Sequence, residues 1–156
     1  MLKFLNYGVY VKEVPDELSL GFTFVGCPIH CEGCHSKHTW NENHPEAKEL
    51  TIDLFDKIVQ EQEDITCVLF FGGDWEPNEL DEFVKRSHEL GKKTALYSGY
   101  SLKELLDTYL YNDLDYLKIG AYVQSLGGLS SHITNQRLLK LDHGKILADL
   151  THKFQH

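Results

Sequence analysis

The sequence predicts a single α/β domain built on a mostly parallel sheet, and two observations lead to this fold class. The first is an alternation of strand and helix patterns, repeated at least three times between residues 20 and 120. The second is the chain length of 156 residues, which suits one domain. A complete (βα)8 barrel needs roughly 250 residues. Any barrel must therefore be partial, and we expect one domain over residues 1–156.

The strand and helix patterns alternate with turns along most of the chain. Strands are predicted over residues 7–14, 20–25, 67–71, 93–97 and 116–119, where apolar residues alternate or run continuously. Helices are predicted from Thr51, over residues 79–90 ahead of Gly91, and through residue 110 after a capping box that begins at Ser101. Residues 137–150 fit either a hairpin or a broken helix.

Composition and charge exclude several classes of protein. A formal charge of -9 opposes binding to nucleic-acid phosphates and to anionic membrane surfaces. Residues 1–10 lack the pattern of a signal peptide, and no stretch approaches the roughly 20 apolar residues of a membrane span. We therefore expect a cytoplasmic protein that binds neither nucleic acid nor membrane. In that reducing compartment, clustered cysteines are more often metal ligands than disulfides.

Three of the four cysteines lie within eight residues, directly after a predicted strand: Cys27, Cys31 and Cys34. The spacing C-x3-C-x2-C indicates an iron-sulfur cluster, because thiolate is the ligand that such clusters use. A cubane contains four irons, so three cysteines leave one iron open for another ligand. Zinc is the alternative metal, in a Cys3His site. The candidate fourth ligands of that zinc are His30, His35 and His38. The chain lacks the second ligand pair that a zinc site usually has, and this favours the cluster.

Two shorter motifs follow later strands. Gly72-Gly73-Asp74 ends strand 67–71 with two residues that lack side chains, so backbone N–H groups are accessible. Asp74 offers a carboxylate to a cationic group such as an ammonium. Taken alone, the motif favours a tight turn that ends the strand, and its position on the same side of the sheet as the cysteine loop favours a binding site. Residues 98–100, Ser-Gly-Tyr, have the same two interpretations.

The predicted topology brings these motifs together. Each of the three loops follows a strand, and the carboxyl ends of parallel strands share one edge of a sheet. We therefore expect the cysteine loop and both shorter motifs on one rim. Trp40 and Tyr100 either cover the cluster there or serve as packing residues. Cys67, which stands in an apolar strand, is interpreted as a small core residue and not as a ligand.

In their order along the chain, four motifs resemble the activating proteins of the anaerobic ribonucleoside-triphosphate reductase. These proteins are small radical S-adenosylmethionine enzymes. The resemblance covers about residues 20–140, and the cysteine loop with its trailing Thr39-Trp40 is the most specific part. The four motifs are residues 26–40, Gly72-Gly73-Asp74, residues 97–100 and Asn135-Gln136-Arg137.

The resemblance implies a partial (βα) barrel of the radical SAM type and a set of cofactor sites. A [4Fe-4S] cluster would be held by Cys27, Cys31 and Cys34, with S-adenosylmethionine on the open iron. The motif at residues 72–74 would hold the methionine end of that cofactor, and residues flanking the third cysteine would lie near the adenosine. The implied cofactor-binding residues are Gly33, Cys34, His35, Gly72, Gly73 and Asp74.

The resemblance also implies an activity. An external one-electron reductant would drive cleavage of S-adenosylmethionine to methionine and a 5'-deoxyadenosyl radical, which takes a hydrogen atom from a glycine of the large reductase subunit. No side chain need act as acid or base. Two alternatives stay open: a small radical enzyme acting on a metabolite, similar to 7-carboxy-7-deazaguanine synthase, and a non-enzymatic zinc or electron-transfer module. The chain departs from the family pattern at His35, Trp75-Glu76 and Lys118-Ile-Gly120.

Overall fold

A mixed eight-stranded sheet is the framework of this computed structural model, which describes residues 1–31, 33–34 and 37–155. The strands, in chain order, are β1 (Lys3–Tyr10), β2 (Ser19–Phe24), β3 (Lys48–Glu49), β4 (Cys67–Phe71), β5 (Lys93–Tyr97), β6 (Tyr116–Ile119), β7 (Arg137–Asp142) and β8 (Lys145–Asp149). Across the sheet they lie in the order β3-β1-β2-β4-β5-β6-β7-β8.

Helices connect the central strands. They are α1 (Ile52–Glu61), α2 (Pro77–Glu89), α3 (Leu102–Leu105) and α4 (Tyr109–Asp113). Thr51 caps α1 by accepting a hydrogen bond from the Leu54 amide at 3.2 Å, and the predicted capping box at Ser101 is present at the start of α3. Short 3-10 turns lie at Lys37–Thr39 and Thr151–Phe154. No helix in the described part of the chain combines the length and the apolar character that crossing a membrane requires.

The prediction of a mostly parallel, partial (βα) barrel of the radical SAM type is wrong. β2, β4, β5 and β6 pair in parallel, but β1 pairs antiparallel with β2 and β3, and β7 pairs antiparallel with β6 and β8. Parallel neighbours need a crossover connection, usually a helix. The described residues 11–18 and 120–136 contain no helix, so the strands that they join run antiparallel.

Element boundaries agree best in the centre of the sheet. β4, β5 and β6 occupy the predicted residues, whereas β1 begins and ends four residues earlier than predicted because the chain turns around Pro15 and Asp16. The predicted helix to residue 110 is broken into α3 and α4 by a turn at Asp107. The C-terminal ambiguity is resolved as the β7–β8 hairpin, with His143 in the left-handed region at φ 47°.

Each face of the sheet has its own core. Helices α1 and α2 cover the larger one, where Phe22, Phe55 and Phe70 are fully buried and in ring contact. The smaller core on the opposite face contains Cys67, whose exposure is 0%. Burial raises the pKa of this thiol to about 12. The interpretation of Cys67 as a core residue is confirmed.

Candidate metal centre

The carboxyl ends of the four parallel strands meet at one edge of the sheet and enclose a cavity of about 210 Å³. The loops that follow β2, β4, β5 and β6 all contribute to it, as the strand order requires. Its lining includes three thiols and three polar or charged side chains: Cys27, Cys31, Cys34, Asp74, Ser98 and Lys118. The structure thus brings together the three motifs that the sequence placed on one rim.

Backbone hydrogen bonds close the cysteine loop at its base. The carbonyl oxygen of buried Thr39 accepts from the amides of Gly26, at 2.7 Å, and of Cys27, at 3.4 Å. The Cys34 amide donates to the Cys31 carbonyl at 3.1 Å, so the second and third cysteines share a turn. The three cysteines of the loop form no disulfide within the described residues, and all three are half-buried. They are therefore fixed by the backbone yet still reachable from solvent.

Aromatic stacking supports the same loop. The His30 ring lies parallel to the Trp40 ring, with centroids 4.3 Å apart and planes 9° apart. Trp40 lines the cavity, and its buried indole Nε1 has no hydrogen-bond partner in the described part of the chain. A buried donor of this kind normally has an acceptor, so the cavity suits a ligand with acceptor atoms. Tyr100, in contrast, packs against the helix-side core.

The loops after β2 and β5 approach each other closely at Gly99. A Cβ atom added to Gly99 would lie 2.6 Å from the Cδ1 atom of Ile29, which is inside the cysteine loop. Non-bonded carbon atoms do not approach so closely in proteins. A larger residue at position 99 would require the Ile29 side chain to move, so the Ser-Gly-Tyr turn packs directly against the cysteine loop.

The residues of the Gly-Gly-Asp motif after β4 lie partly at the cavity and partly against the core. Gly72 lines the cavity, whereas a Cβ on Gly73 would lie 3.1 Å from the Phe24 ring, so Gly73 packs towards the core. Asp74 is buried and accepts a hydrogen bond from the Ser98 hydroxyl, which itself accepts from the Tyr100 amide at 2.9 Å. Burial raises the pKa of Asp74 to about 6, against the opposing effect of the Ser98 hydrogen bond.

Lys118 is a site residue that the sequence reasoning missed. Its Nζ atom donates to the carbonyl oxygens of Ser98 and Gly120, both at 3.0 Å, and only 9% of the residue is exposed. Burial lowers the pKa of Lys118 to about 8, and the nearby Asp74 carboxylate opposes this shift. A signal was available, because this lysine interrupts an apolar strand at its carboxyl end.

The remaining predicted residues lie around the cavity, are exposed, or fall outside the described part of the chain. Gly33 has φ 73°, and a Cβ added there would lie 3.0 Å from Gln124, so the loop after β6 covers this turn. Gln136 is buried at the cavity and donates from Nε2 to the Gly120 carbonyl at 3.2 Å. His38 is exposed. His35, proposed for both cofactor and zinc binding, lies outside the described residues.

The donor set fits an iron-sulfur cluster. Thiolates are the ligands of such clusters, and the three cysteines line one cavity together with Lys118 and Trp40. No group of three histidine, cysteine or acidic side chains that could hold a metal ion occurs within residues 1–31, 33–34 and 37–155. The three cysteines thus provide the right ligand type without a preformed metal site among the described residues. Cluster binding would require their thiols to move towards the irons.

Comparison with protein families defines the class as an iron-sulfur protein. A family model described as a 4Fe-4S single cluster domain matches residues 19–139, which is more than half of the chain. The chain belongs to this 4Fe-4S single cluster domain family. Comparisons with curated proteins and with solved structures gave no significant match. The predicted [4Fe-4S] cluster is confirmed at the level of the family, which supports iron and sulfide over zinc.

Proposed function

We propose that the protein is a radical S-adenosylmethionine enzyme that generates a glycyl radical on the large subunit of an anaerobic ribonucleoside-triphosphate reductase. One observation carries the proposal: three thiols and a buried carboxylate line the same cavity. Three thiolates leave one iron of a cubane without a protein ligand. Asp74 supplies the complementary group for the ammonium of an amino acid bound at that iron.

Each residue has a definite task in this proposal. Cys27, Cys31 and Cys34 hold the cluster. Ser98 fixes the Asp74 carboxylate, which accepts the ammonium of the methionine moiety. Gly72 lets the cofactor approach the backbone. By resemblance, Gly33, Cys34 and His35 lie on the adenosine side. The resemblance places Gly73 at the methionine end with Gly72, and because Gly73 packs towards Phe24 its role in this proposal is indirect.

The cofactors carry the bond-breaking chemistry. With an electron from an external reductant, the bound cluster and S-adenosylmethionine would give methionine and a 5'-deoxyadenosyl radical, and hydrogen transfer from glycine then leaves 5'-deoxyadenosine and a glycyl radical. The three cysteines are only half-buried, so the chain alone does not exclude water from the cavity. The glycine loop of the partner subunit completes the enclosure in this proposal.

Anaerobic reconstitution tests the cofactor half of the proposal. Wild-type protein is expected to hold about four irons and four sulfides per chain. It should then form 5'-deoxyadenosine from S-adenosylmethionine and a strong reductant. Cys31→Ala should lose the product. Cys67→Ala is the matched control, because Cys67 is buried in the core away from the cavity and its loss should leave both cluster and product intact. One zinc per chain without sulfide would refute the proposal.

Electron paramagnetic resonance tests the partner half. Adding the large reductase subunit to the reduced, cofactor-loaded protein should produce a glycyl radical signal on that subunit. The signal should be absent with Cys31→Ala. Coupled turnover of a nucleobase-like metabolite without a protein partner would instead support the enzyme class represented by 7-carboxy-7-deazaguanine synthase and refute the activase.

A further inference from the structure

A buried lysine faces the three cysteines, and neither the family match nor the cofactor chemistry accounts for it. Lys118 lies near the carboxyl end of β6, in the lining of the cavity that holds the thiols. An ammonium group is costly to bury and is rarely found inside a protein without a compensating negative charge.

Backbone groups hold this ammonium in one place. The carbonyl oxygens of Ser98 and Gly120 each accept a hydrogen bond from Nζ at 3.0 Å. These two acceptors belong to the loops after β5 and β6, so the lysine also ties two sides of the cavity together. The ammonium has three donors, which leaves one that the two carbonyls do not use.

The protein does not neutralise Lys118 by direct pairing. No ion pair formed within the described residues includes this lysine, although Asp74 lines the same cavity. Cys27, Cys31 and Cys34 line the same cavity, and each would carry a negative charge as a thiolate ligand of a cluster. The natural counter-charge of Lys118 is therefore the cluster with its thiolates.

We propose that Lys118 is a residue that sets the reduction potential of the cluster, because its fixed positive charge favours the more negative, reduced state. The proposal rests on the cluster of the proposed function. Three thiolates with a 2+ core give a net charge of about -1, and one electron from the external reductant makes it about -2. Charge and exposure near a cluster are recognised determinants of its potential. The effect is electrostatic, so no bond between Lys118 and the cluster forms or breaks.

The experiment separates the charge of Lys118 from its hydrogen bonds. Lys118→Gln removes the charge and keeps an N–H donor, Lys118→Met removes both, and Lys118→Arg keeps the charge. Lys145→Gln is the matched control, since Lys145 is an exposed residue at the start of β8. Reconstituted proteins are titrated anaerobically without S-adenosylmethionine, and the reduced cluster is quantified by electron paramagnetic resonance.

Both neutral variants should hold the cluster and be harder to reduce than wild type. At a given potential, the ratio of reduced to oxidised cluster should fall at least tenfold, which corresponds to about 59 mV for one electron. Lys118→Arg and Lys145→Gln should stay near the wild-type value. If Lys118→Met does not fold, Lys118→Gln alone decides the question.

Two results would overturn the inference. One is an unchanged potential in cluster-loaded Lys118→Gln. The other is loss of the cluster from both neutral variants while Lys118→Arg retains it, which would assign Lys118 a structural role. Failure of the proposed function gives a different result: wild-type protein would contain the cluster and show the lysine-dependent potential, yet would not cleave S-adenosylmethionine.

Discussion

The two edges of the parallel strands contain similar residue types but use them differently. At the amino edge, Asp115 accepts from the Thr94 amide at 2.9 Å and lies 3.1 Å from His88, while Lys92 donates to the Ile65 carbonyl at 2.9 Å. These polar side chains are bound to neighbouring structure. At the carboxyl edge, Asp74 and Lys118 are more deeply buried and belong to no ion pair among the described residues.

The difference indicates where this protein binds something. At the amino edge, Asp115 has a side-chain partner in His88, and both Asp115 and Lys92 are partly exposed, so their charges need no ligand. A buried charge without a counter-charge has an energetic cost that a ligand of opposite sign removes. Within the part of the chain that the structure describes, only the carboxyl edge combines such charges with thiols and a cavity. Changes of matched residues test this difference. The residues compared lie at the two edges or in the helix layer, which is formed by α1 and α2.

The largest expected effect is on cofactor binding. Asp74→Asn should weaken the binding of S-adenosylmethionine to the cluster-loaded protein by about 10-fold to 100-fold, because a charge-assisted hydrogen bond contributes about 1.5–3 kcal/mol. Equilibrium dialysis under anaerobic conditions measures the affinity. Asp81→Asn is the control, since Asp81 is equally buried but lies in α2 beside Lys85, 3.1 Å away. Equal affinities for wild type, Asp74→Asn and Asp81→Asn would show that Asp74 does not bind the cofactor.

The next effect concerns two glycines with similar backbone angles at the two edges. Gly72 has φ 86° and Gly91 has φ 78°. A Cβ on Gly72 would lie 2.8 Å from the Trp75 ring, whereas nothing lies within 4 Å of a Cβ on Gly91. Both alanine variants incur backbone strain of about 1–2 kcal/mol. Gly72→Ala should lose about 1–3 kcal/mol more through overpacking.

Urea denaturation followed by circular dichroism measures the difference in the free energy of unfolding. The comparison is internally controlled, because the same residue change is made at the same type of backbone angle. Equal destabilisation by Gly72→Ala and Gly91→Ala would mean that Trp75 moves aside freely. The carboxyl edge would then be less tightly packed than the structure indicates.

The two regions also differ in how far the sequence predicts them. The continuous apolar run of β4 and the pattern of β5 can be located to the residue, because strands buried on both faces leave a strong local signal. The cysteine spacing likewise predicts the cluster, since ligand chemistry fixes both residue type and spacing. These features depend on local sequence.

The missed features depend on contacts between distant segments. The antiparallel pairing of β6 with β7 follows from the absence of a crossover helix over residues 120–136, which the sequence pattern left undefined. Lys118 joins the site only because β5 ends beside β6, which brings the Ser98 carbonyl within 3.0 Å of its ammonium. The interruption of an apolar strand marks Lys118 as unusual, but the local sequence does not show which groups surround its ammonium.

The smallest expected effect is a pH dependence of stability in the cluster-free chain. Burial raises the pKa of Asp74 and of Asp81 to about 6, and for Asp81 the neighbouring Asp113 adds to the rise. The folded state therefore holds protons that the unfolded state releases near pH 4. The free energy of unfolding should fall as the pH rises from about 4 to about 6 and then level off, with each aspartate contributing about 1–2 kcal/mol.

Chemical denaturation across that pH range distinguishes the two aspartates. Asp74→Asn and Asp81→Asn should each flatten part of the slope, and the double variant should flatten most of it, because the residues lie in different regions and their effects add. When the cluster is bound, only the Asp74 part should change, since Asp81 lies in the helix layer away from the cavity. The contrary result is that cluster binding changes the Asp81 contribution to the pH slope as much as the Asp74 contribution. That result would show that the charge of the cluster acts on α2 as strongly as on the carboxyl edge, and the distinction between the two regions would be wrong.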